Sequence, residues 1–474
     1  MKAYRYALIL FVAIALAACK TTTKTATLPQ KATLPTAAGE GLGDGLYSAQ
    51  PSPLPDARGT GAGLTEKSPL AQRIDSLLLT ADTLLQSTQL GLHIIDLSSG
   101  EIVYAKGERQ RMRPASTEKM VTAITALDCL GPSYCFTTAL LSAATVSGGT
   151  LQGDLYVRGA MDPLLSVADV RRLVSQLKAA GVKKVAGRLV ADVSMKDEDE
   201  YGWGWCWDDE NPVLSPLLCG GKPALIDQLR SALRTAGITV SKGTAKGTFP
   251  KQYDPADTTS ASKRYELAAI RRPLTEVLKP MMKESDNLCA EAVFYQLSRP
   301  TPSPSTQSQS SPRRGEFERS QKHWGRKRSA AIINELIERT ANSQCSMFNV
   351  QCSMATGLVA DGSGLSLYNY QTPETFTRLL TYGAARQDSI YLPLLEALPI
   401  AGVDGTLEKR MKDTPAAANV RAKTGSVSAV STLVGYTTQR STGHVFAFAI
   451  LNNGLPRMAE GRTLQDKICI LLSE

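Results

Sequence analysis

Residues 114–127 read PASTEKMVTAITAL. Proline is favoured at the start of a helix, and Pro114 stands just ahead of a helical pattern. Apolar residues recur there at three- and four-residue spacing on one face, namely at Met120, Ala123, Ile124 and Leu127. The pattern predicts a buried helix that begins near Ser116.

Two reactive side chains stand in the first turn of this predicted helix, Ser116 and Lys119. Residues three apart lie on one helix face, so the Lys119 amine can reach the Ser116 hydroxyl group. Burial or a neighbouring cation lowers a lysine pKa, and the neutral amine can then accept the serine proton. The helix N-terminus adds free N–H groups where an oxyanion would form. The stretch therefore favours a lysine-activated serine nucleophile.

An S-x-x-K pattern alone is weak evidence, because the chain holds two further copies at 175–178 and 260–263. Two unique motifs single out residues 116–119. Ser285-Asp286-Asn287 is the only S-x-N in the sequence and Lys423-Thr424-Gly425 is the only K-T-G. The three motifs follow one another in the order S-x-x-K, S-x-N, K-T-G, so coincidence is disfavoured.

The second and third motifs supply the other groups that acyl transfer needs. Ser285 can relay a proton between Lys119 and a leaving amine, and Asn287 can hold both the substrate backbone and the lysine side chain. Lys423 adds positive potential, which attracts a carboxylate and lowers the pKa of Lys119. We therefore predict that Ser116, Lys119, Ser285, Asn287 and Lys423 are the catalytic residues.

Substrate binding is assigned to Thr424, Gly425 and Ser426. Thr424 offers a hydroxyl group to a carboxylate, and Gly425 lets a substrate strand lie against the backbone. The N–H groups of Ser116 and Ser426 form the expected oxyanion hole.

Four longer strings carry a resemblance to a known family: GDLYVRGAMDP at 153–163, GWGW at 202–205, DGSGLS at 361–366 and GVDGTL at 402–407. The three motifs are themselves the signature of class A β-lactamases and penicillin-binding proteins. Together these strings resemble the low-molecular-mass penicillin-binding proteins with D-alanyl-D-alanine carboxypeptidase and endopeptidase activity, the S13 serine peptidases. The resemblance covers most of residues 85–455.

The resemblance implies a β-lactamase/transpeptidase-like catalytic domain that is split by an insertion between the first and second motifs. It also implies that a peptidoglycan stem peptide acylates Ser116 with loss of D-alanine, and that water then releases the enzyme. Penicillins are expected to acylate the same serine. No cofactor is expected.

Alternation of apolar residues predicts strands near both ends of this region, at Leu90–Leu97, Ile102–Ala105, Val427–Thr437 and Val445–Leu451. These strands can share one antiparallel sheet with helices against it, which is an α+β fold. Between them, short strands, one amphipathic helix near 168–180 and many glycines indicate an inserted strand-rich domain. The expected division is catalytic domain 68–141, insertion 142–250 and catalytic domain 251–474, with a low-complexity basic loop at 298–328.

The first residues indicate export. Lys2 and Arg5 precede a short apolar run, and the small pair before Cys19 completes a pattern that resembles a bacterial lipobox. We expect a signal peptide at 1–18, a lipidated Cys19, and a tether over 19–67 that is too poor in bulky residues to form a core. The protein would then be a periplasm-facing lipoprotein of the bacterial cell envelope.

Composition excludes several classes of protein. Hydrophobic residues make up 43% and charged residues 20%, which is typical of a globular chain. The net charge of +9 is small for 474 residues and partly local to 313–328, so no nucleic-acid surface is expected. Nine cysteines and three histidines show no zinc spacing, so no metal is expected, and pairing of Cys129 with Cys135 and of Cys206 with Cys219 stays open.

Two other functions share part of this pattern. A β-lactamase would carry the same motifs, but no E-x-x-L-N segment is present to supply the deacylating glutamate of class A. A lipoprotein that binds wall peptides without catalysis is disfavoured by the intact reactive residues. A histidine-based triad is also disfavoured, because His93 and His444 lie in predicted strands and the chain has no G-x-S-x-G elbow.

Overall fold

The structure is a computed structural model that describes residues 67–254, 263–298, 325–348 and 357–474. The chain divides into two units, Met1–Thr65 and Glu66–Glu474, and every described residue belongs to the second unit. The predicted signal peptide, Cys19 and all of the tether except Lys67 lie outside the described residues.

The described helices are α1 (Pro69–Thr80), α2 (Asp82–Leu85), α3 (Glu118–Leu130), α4 (Val167–Ala179), α5 (Leu225–Thr235), α6 (Leu274–Lys283), α7 (Asn287–Leu297), α8 (Arg326–Phe348), α9 (Pro373–Ala384), α10 (Leu392–Ala397) and α11 (Met458–Ser473). Shorter helical turns occupy Ala115–Thr117, Gln387–Tyr391 and Gly405–Leu407.

The described strands are β1 (Gln89–Asp96), β2 (Ile102–Lys106), β3 (Cys135–Leu141), β4 (Val146–Ser147), β5 (Thr150–Leu151), β6 (Leu155–Arg158), β7 (Lys184–Val185), β8 (Leu189–Asp192), β9 (Thr239–Val240), β10 (Thr244–Lys246), β11 (Glu266–Pro273), β12 (Arg421–Val427), β13 (Val430–Thr438) and β14 (Val445–Asn453).

The first sheet confirms the predicted pairing of the two ends of the catalytic region. Its order is β12-β13-β14-β1-β2, and all neighbours are antiparallel. The sequence placed K-T-G ahead of the C-terminal strands, whereas the structure places it inside a further strand, β12. The motif therefore lies on an edge strand of the sheet.

Alternating residues of β14 enter two different cores, which is why the sheet is covered on both sides. Phe446, Phe448 and Ile450 pack with residues of α1 and α11. Ala447 and Ala449, which point to the other face, pack with α3, α6, α7 and α9. The result is a sheet between two helical layers, as predicted for an α+β fold.

A second sheet, of order β10-β8-β6-β3-β11, carries the segment after the first motif. Its inner face and helices α4 and α5 enclose a separate apolar core. Because β3 and β11 belong to it, its strands extend from Cys135 to Pro273, beyond the predicted limits of 142 and 250. A smaller sheet of order β4-β5-β7-β9 lies in the same part of the chain. The division into an inserted domain stays a prediction.

The end of the predicted 298–328 loop is helical, because α8 begins at Arg326. Residues 299–324 of that loop lie outside the described residues. In the part of the chain that the structure describes, no helix has the length and apolarity needed to cross a membrane. The six cysteines described there, including Cys129, Cys135, Cys206 and Cys219, are all free thiols.

Candidate active site

The first motif lies where a tight helical turn leads into α3. The turn Ala115–Thr117 carries Ser116, which is half-buried, and α3 begins directly after the turn, at Glu118. Lys119 is completely buried, and its Nζ donates a hydrogen bond to Ser116 Oγ over 3.0 Å. The structure thus places the two side chains of S-x-x-K within hydrogen-bonding distance, as the helical spacing predicted.

The second motif interrupts a helix. The sequence predicted a helical section from Leu274 to Leu297, but α6 ends at Lys283 and α7 begins at Asn287. Ser285 adopts a positive φ of 62°, and the Asp286 carboxylate caps α7 by accepting a hydrogen bond from Cys289 N at 2.7 Å. The break turns Ser285 and Asn287 towards the lysines of the other two motifs.

The Lys119 side chain makes three hydrogen bonds, one for each N–H donor of an ammonium group. Besides Ser116, its Nζ donates to Asn287 Oδ1 at 2.8 Å and to the backbone oxygen of Ser363 at 2.8 Å. Two of these acceptors belong to the predicted motifs, and Ser363 does not. The amine is therefore held in one position beneath the nucleophile.

Burial lowers the pKa of Lys119 to about 8, against the opposing effect of nearby acids, chiefly Asp361 and Glu291. An amine with this pKa is partly neutral near neutral pH, which is the state a general base requires. The predicted direction of the shift is thus present, and burial is its main cause.

Lys423 projects from β12 and is also completely buried. Its Nζ donates to Ser285 Oγ at 2.9 Å and to the Thr424 oxygen at 2.8 Å. Burial and the adjacent Lys119 lower the pKa of Lys423 well below its usual value. The sequence predicted that Lys423 would lower the pKa of Lys119, whereas the structure shows the influence of Lys119 on Lys423.

The free edge of β12 faces away from β13. The Ala422 N–H leaves the sheet and donates to the Pro399 oxygen at 3.1 Å. Since N–H groups alternate in direction along a strand, those of Thr424 and Ser426 point the same way. This orientation agrees with the predicted use of the Ser426 N–H group in an oxyanion hole.

Gly425 lies where β12 passes the helical turn that carries the nucleophile. A Cβ atom at this position would lie 2.7 Å from the Pro114 oxygen and 2.9 Å from Thr117 N. Glycine is required here by the close approach of two backbones. The sequence reasoning gave a different reason, the approach of a substrate strand.

The loop 361–366 forms part of the site. From the sequence it was indicated only by the DGSGLS string of the family resemblance. The Asp361 carboxylate accepts hydrogen bonds from Trp205 Nε1 at 2.7 Å and from Gly364 N at 2.8 Å. Gly364, with φ of 84°, lies directly against the backbone of Ala115, and any side chain would overlap it. The loop thereby supports the turn that carries Ser116.

The loop 402–407 is a second such support. Lys283 Nζ, at the end of α6, bonds Asp404 Oδ2 at 2.6 Å, and Thr424 Oγ1 donates to Thr406 Oγ1 at 2.8 Å. The loop therefore joins the end of α6, just before the second motif, to the third motif. Its only sequence signal was the GVDGTL string, without a role for any residue.

The rejected alternatives lie elsewhere. Ser175 and Lys178 are exposed on α4, and 260–262 lie outside the described residues. His93 is buried with its Nδ1 2.5 Å from Thr377 Oγ1, and His444 pairs with Asp96 at 2.7 Å. Among the described residues no group of three or more His, Cys, Asp or Glu could hold a metal ion.

Comparison with known proteins identifies the family. The family model described as D-Ala-D-Ala carboxypeptidase 3 (S13) matches residues 70–218, 222–313 and 343–474. This chain belongs to the S13 family. It is accordingly a serine-type D-Ala-D-Ala carboxypeptidase, a hydrolase.

Known relatives can be aligned with this chain over most of their length. The chain is 27% identical over 450 residues to D-alanyl-D-alanine carboxypeptidase DacB of Haemophilus influenzae, covering 78% of this chain and 86% of that protein. It is 28% identical to the D-alanyl-D-alanine carboxypeptidase of Actinomadura sp., covering 90% and 88%. The crystal structure of penicillin binding protein 4 (dacB) from Haemophilus influenzae matches with a TM-score of 0.67 at 23% identity, over 84% of this chain and 99% of that one. That likeness confirms the transpeptidase-like fold.

Proposed function

We propose that this S13 hydrolase cleaves the terminal D-alanyl-D-alanine bond of peptidoglycan stem peptides through an acyl-enzyme on Ser116. The observation that carries the assignment is the buried amine of Lys119, 3.0 Å from Ser116 Oγ and with its pKa lowered to about 8. A serine beside a neutral, desolvated amine is an activated nucleophile.

In the first step, Lys119 Nζ accepts the proton of Ser116 as Oγ attacks the penultimate D-alanine carbonyl carbon. The carbonyl electron pair moves onto oxygen, and the N–H groups of Ser116 and Ser426 stabilise the resulting oxyanion. Asn287 holds the Lys119 side chain throughout.

Collapse of the oxyanion breaks the peptide bond, and the departing nitrogen needs a proton. Ser285 hands on to it the proton that Lys119 took from Ser116: the half-buried Ser285 hydroxyl group is bonded at 2.9 Å to Lys423, which is the neighbour of Lys119. D-Alanine leaves and Ser116 carries the acyl group. Water then attacks the ester, with Lys119 again as the base, and the serine is restored.

The leaving residue is recognised by its carboxylate. Thr424 supplies a hydroxyl group and Lys423 a positive charge, and an anion beside Lys423 favours its ammonium form. That charge in turn favours the neutral form of Lys119, because the two amines are coupled. Substrate binding therefore promotes the base. A cross-linked stem whose leaving residue keeps its carboxylate meets the same requirement, so the proposal includes endopeptidase activity.

Penicillins carry a carboxylate beside a reactive amide, so we propose that they acylate Ser116. A related structure of penicillin binding protein 4 from Haemophilus influenzae is described as complexed with a β-lactam. The enzyme works on the cell wall and belongs in the envelope. Anchoring through a lipid on Cys19, after removal of residues 1–18, is our proposal for its attachment.

The test is incubation of the purified protein with a labelled penicillin, followed by intact mass measurement and peptide mapping. We expect a covalent adduct on Ser116, no adduct in Ser116→Ala, and a normal adduct in the control Ser175→Ala, whose serine belongs to the exposed S-x-x-K copy. Acylation that survives Ser116→Ala would refute the assignment. Rapid drug turnover without an adduct would favour the β-lactamase. The absence of both an adduct and drug turnover would favour a binding protein without catalysis.

A further inference from the structure

Glu291 is a buried carboxylic acid for which the mechanism above has no part. It lies on α7 one turn after Asn287, and only 1% of its surface is exposed. Its Oε1 accepts a hydrogen bond from Gly362 N at 3.1 Å, and Ser363 also hydrogen-bonds its carboxyl group. Burying a carboxyl group is costly unless it is hydrogen-bonded, and the bonds of Glu291 go to the 361–364 loop.

The loop that Glu291 holds is the loop that holds Lys119. The Ser363 oxygen accepts a hydrogen bond from Lys119 Nζ at 2.8 Å, and the Gly362 oxygen accepts one from Thr122 at 2.8 Å. Glu291 therefore binds the N–H side of the same peptide segment whose carbonyl groups bind α3. Helix α7 thus contacts the lysine directly through Asn287 and indirectly through Glu291.

We propose that Glu291 is a positioning residue of this site: its carboxyl group fixes the 361–364 loop so that the Ser363 carbonyl holds the Lys119 amine against Ser116, and its charge controls how readily that amine loses its proton. The inference rests on the proposed function, in which Lys119 is the base.

The electrostatics agree with this geometry. Burial, reinforced by Asp361, raises the pKa of Glu291 to about 8, and the nearby Lys119 opposes that rise. Burial also lowers the pKa of Lys119 to about 8, and the nearby groups oppose that fall, namely Asp361, Glu291, Asp286 and Cys289. Two buried groups that titrate in the same range are coupled: Glu291 is mostly neutral below pH 8, and the carboxylate that forms as the pH passes 8 stabilises the Lys119 ammonium.

The remaining ionisable neighbours are the same in every variant proposed below. Lys423 faces Lys119 from β12, and Glu118 on α3 is completely buried beside Asp361, which helps to raise its pKa well above the usual value. A change confined to Glu291 therefore reports the coupling of that residue alone.

Two substitutions separate charge from shape. Glu291→Gln keeps the length and the oxygen acceptor but cannot form the carboxylate that appears near pH 8, so we expect the midpoint of the acylation profile to shift to lower pH, by up to about one unit. Glu291→Asp keeps the charge but withdraws it from the loop, so we expect the maximal rate to fall about tenfold or more with a nearly unchanged midpoint.

The experiment measures the second-order rate of Ser116 acylation by a fluorescent penicillin from pH 5 to 9 in the full chain and its two variants, with thermal unfolding as a check of folding. The control is Glu374→Gln, which removes a buried carboxylate that pairs with Arg378 at 2.6 Å on α9, and its midpoint should equal that of the wild type. Equal midpoints for Glu291→Gln and wild type, or an undiminished maximal rate in Glu291→Asp, would overturn the proposal. Failure of the wild type to acylate Ser116 would instead refute the proposed function.

Discussion

At the scale of single residues, Lys119 is subject to two opposing influences. Complete burial disfavours the ammonium form, while three hydrogen-bond acceptors and surrounding acids favour it. Their balance leaves the pKa near 8, so the amine can both take and return a proton close to neutral pH. A solvated lysine would be almost fully charged there and could not serve as a base.

The pH dependence follows from this balance. The neutral amine is the active form, and its fraction rises with pH, so the acylation rate should increase about tenfold per pH unit below pH 8 and level off above it. Rates of penicillin acylation measured from pH 5 to 10 test this expectation. A flat profile through pH 6–8 would contradict the role of Lys119 as base.

The lysine itself can be removed. Lys119→Ala should reduce the acylation rate by a factor of about 10² to 10⁴, because general-base assistance is lost, with little effect on the fold. Stopped-flow kinetics measure the acylation rate, and circular dichroism checks that the fold is retained. Retention of more than a tenth of the wild-type rate would be incompatible with the proposed step.

At the scale of elements, the site depends on places where regular structure is interrupted or approached closely. The break between α6 and α7 turns the S-D-N motif towards the lysines, and the edge position of β12 leaves one row of N–H groups for a ligand. Gly425 lets this strand lie directly against the turn that carries Ser116. Strand and nucleophile are therefore positioned by each other.

A methyl group added at Gly425 should separate β12 from the turn that carries Ser116. Gly425→Ala places Cβ under 3.0 Å from backbone atoms of Pro114 and Thr117, so we expect a loss of about 1–3 kcal/mol in stability and about a hundredfold in acylation rate. Denaturant unfolding and acylation kinetics measure the two effects. Gly383→Ala, where the added Cβ meets only side-chain atoms, is the control and should acylate normally.

At the scale of the whole molecule, a buried ionic cluster joins the second sheet to the helix that leads to the S-D-N motif. Arg272 of β11 bonds Asp162 at 3.0 Å, Asp169 of α4 at 3.1 Å and Glu276 of α6 at 2.8 Å. Both aspartates are almost completely buried. The cluster therefore connects α4 with β11 and the adjacent α6, which lie about 100 residues further along the chain.

Removing the arginine leaves the buried Asp162 carboxylate without its cationic partner, while Asp169 retains its ion pair with Arg172. We expect Arg272→Ala to destabilise the protein by about 3–5 kcal/mol in urea unfolding. The adjacent Arg271 bonds Glu266 at 2.7 Å in a more exposed position, so Arg271→Ala should lower stability by about 1 kcal/mol or less. Similar effects of the two substitutions would show that the cluster adds no special stability.

Local sequence determined most of the elements and the identity of the reactive groups, although it missed strand β12 and the break between α6 and α7. The i, i+3 spacing of Ser116 and Lys119, the alternation in β1, β13 and β14, and the unique second and third motifs depend on neighbouring residues, so they could be interpreted without a fold. The structure agrees with the predicted contacts of Lys119 with Ser116 and with Asn287, and adds the contact of Ser285 with Lys423.

Tertiary structure alone decided how those groups are held. The Ser363 carbonyl, the Glu291 carboxyl group and the Thr406 hydroxyl lie far along the chain from the side chains they support, and no local pattern distinguishes them from ordinary loop or helix residues. The pKa of Lys119 likewise depends on burial and on acids from two separate segments, the 361–366 loop and the start of α7. Desolvation and long-range contacts exist only once the chain has folded, which is why the sequence named the base but not the acids, Asp361 and Glu291, that oppose the fall of its pKa.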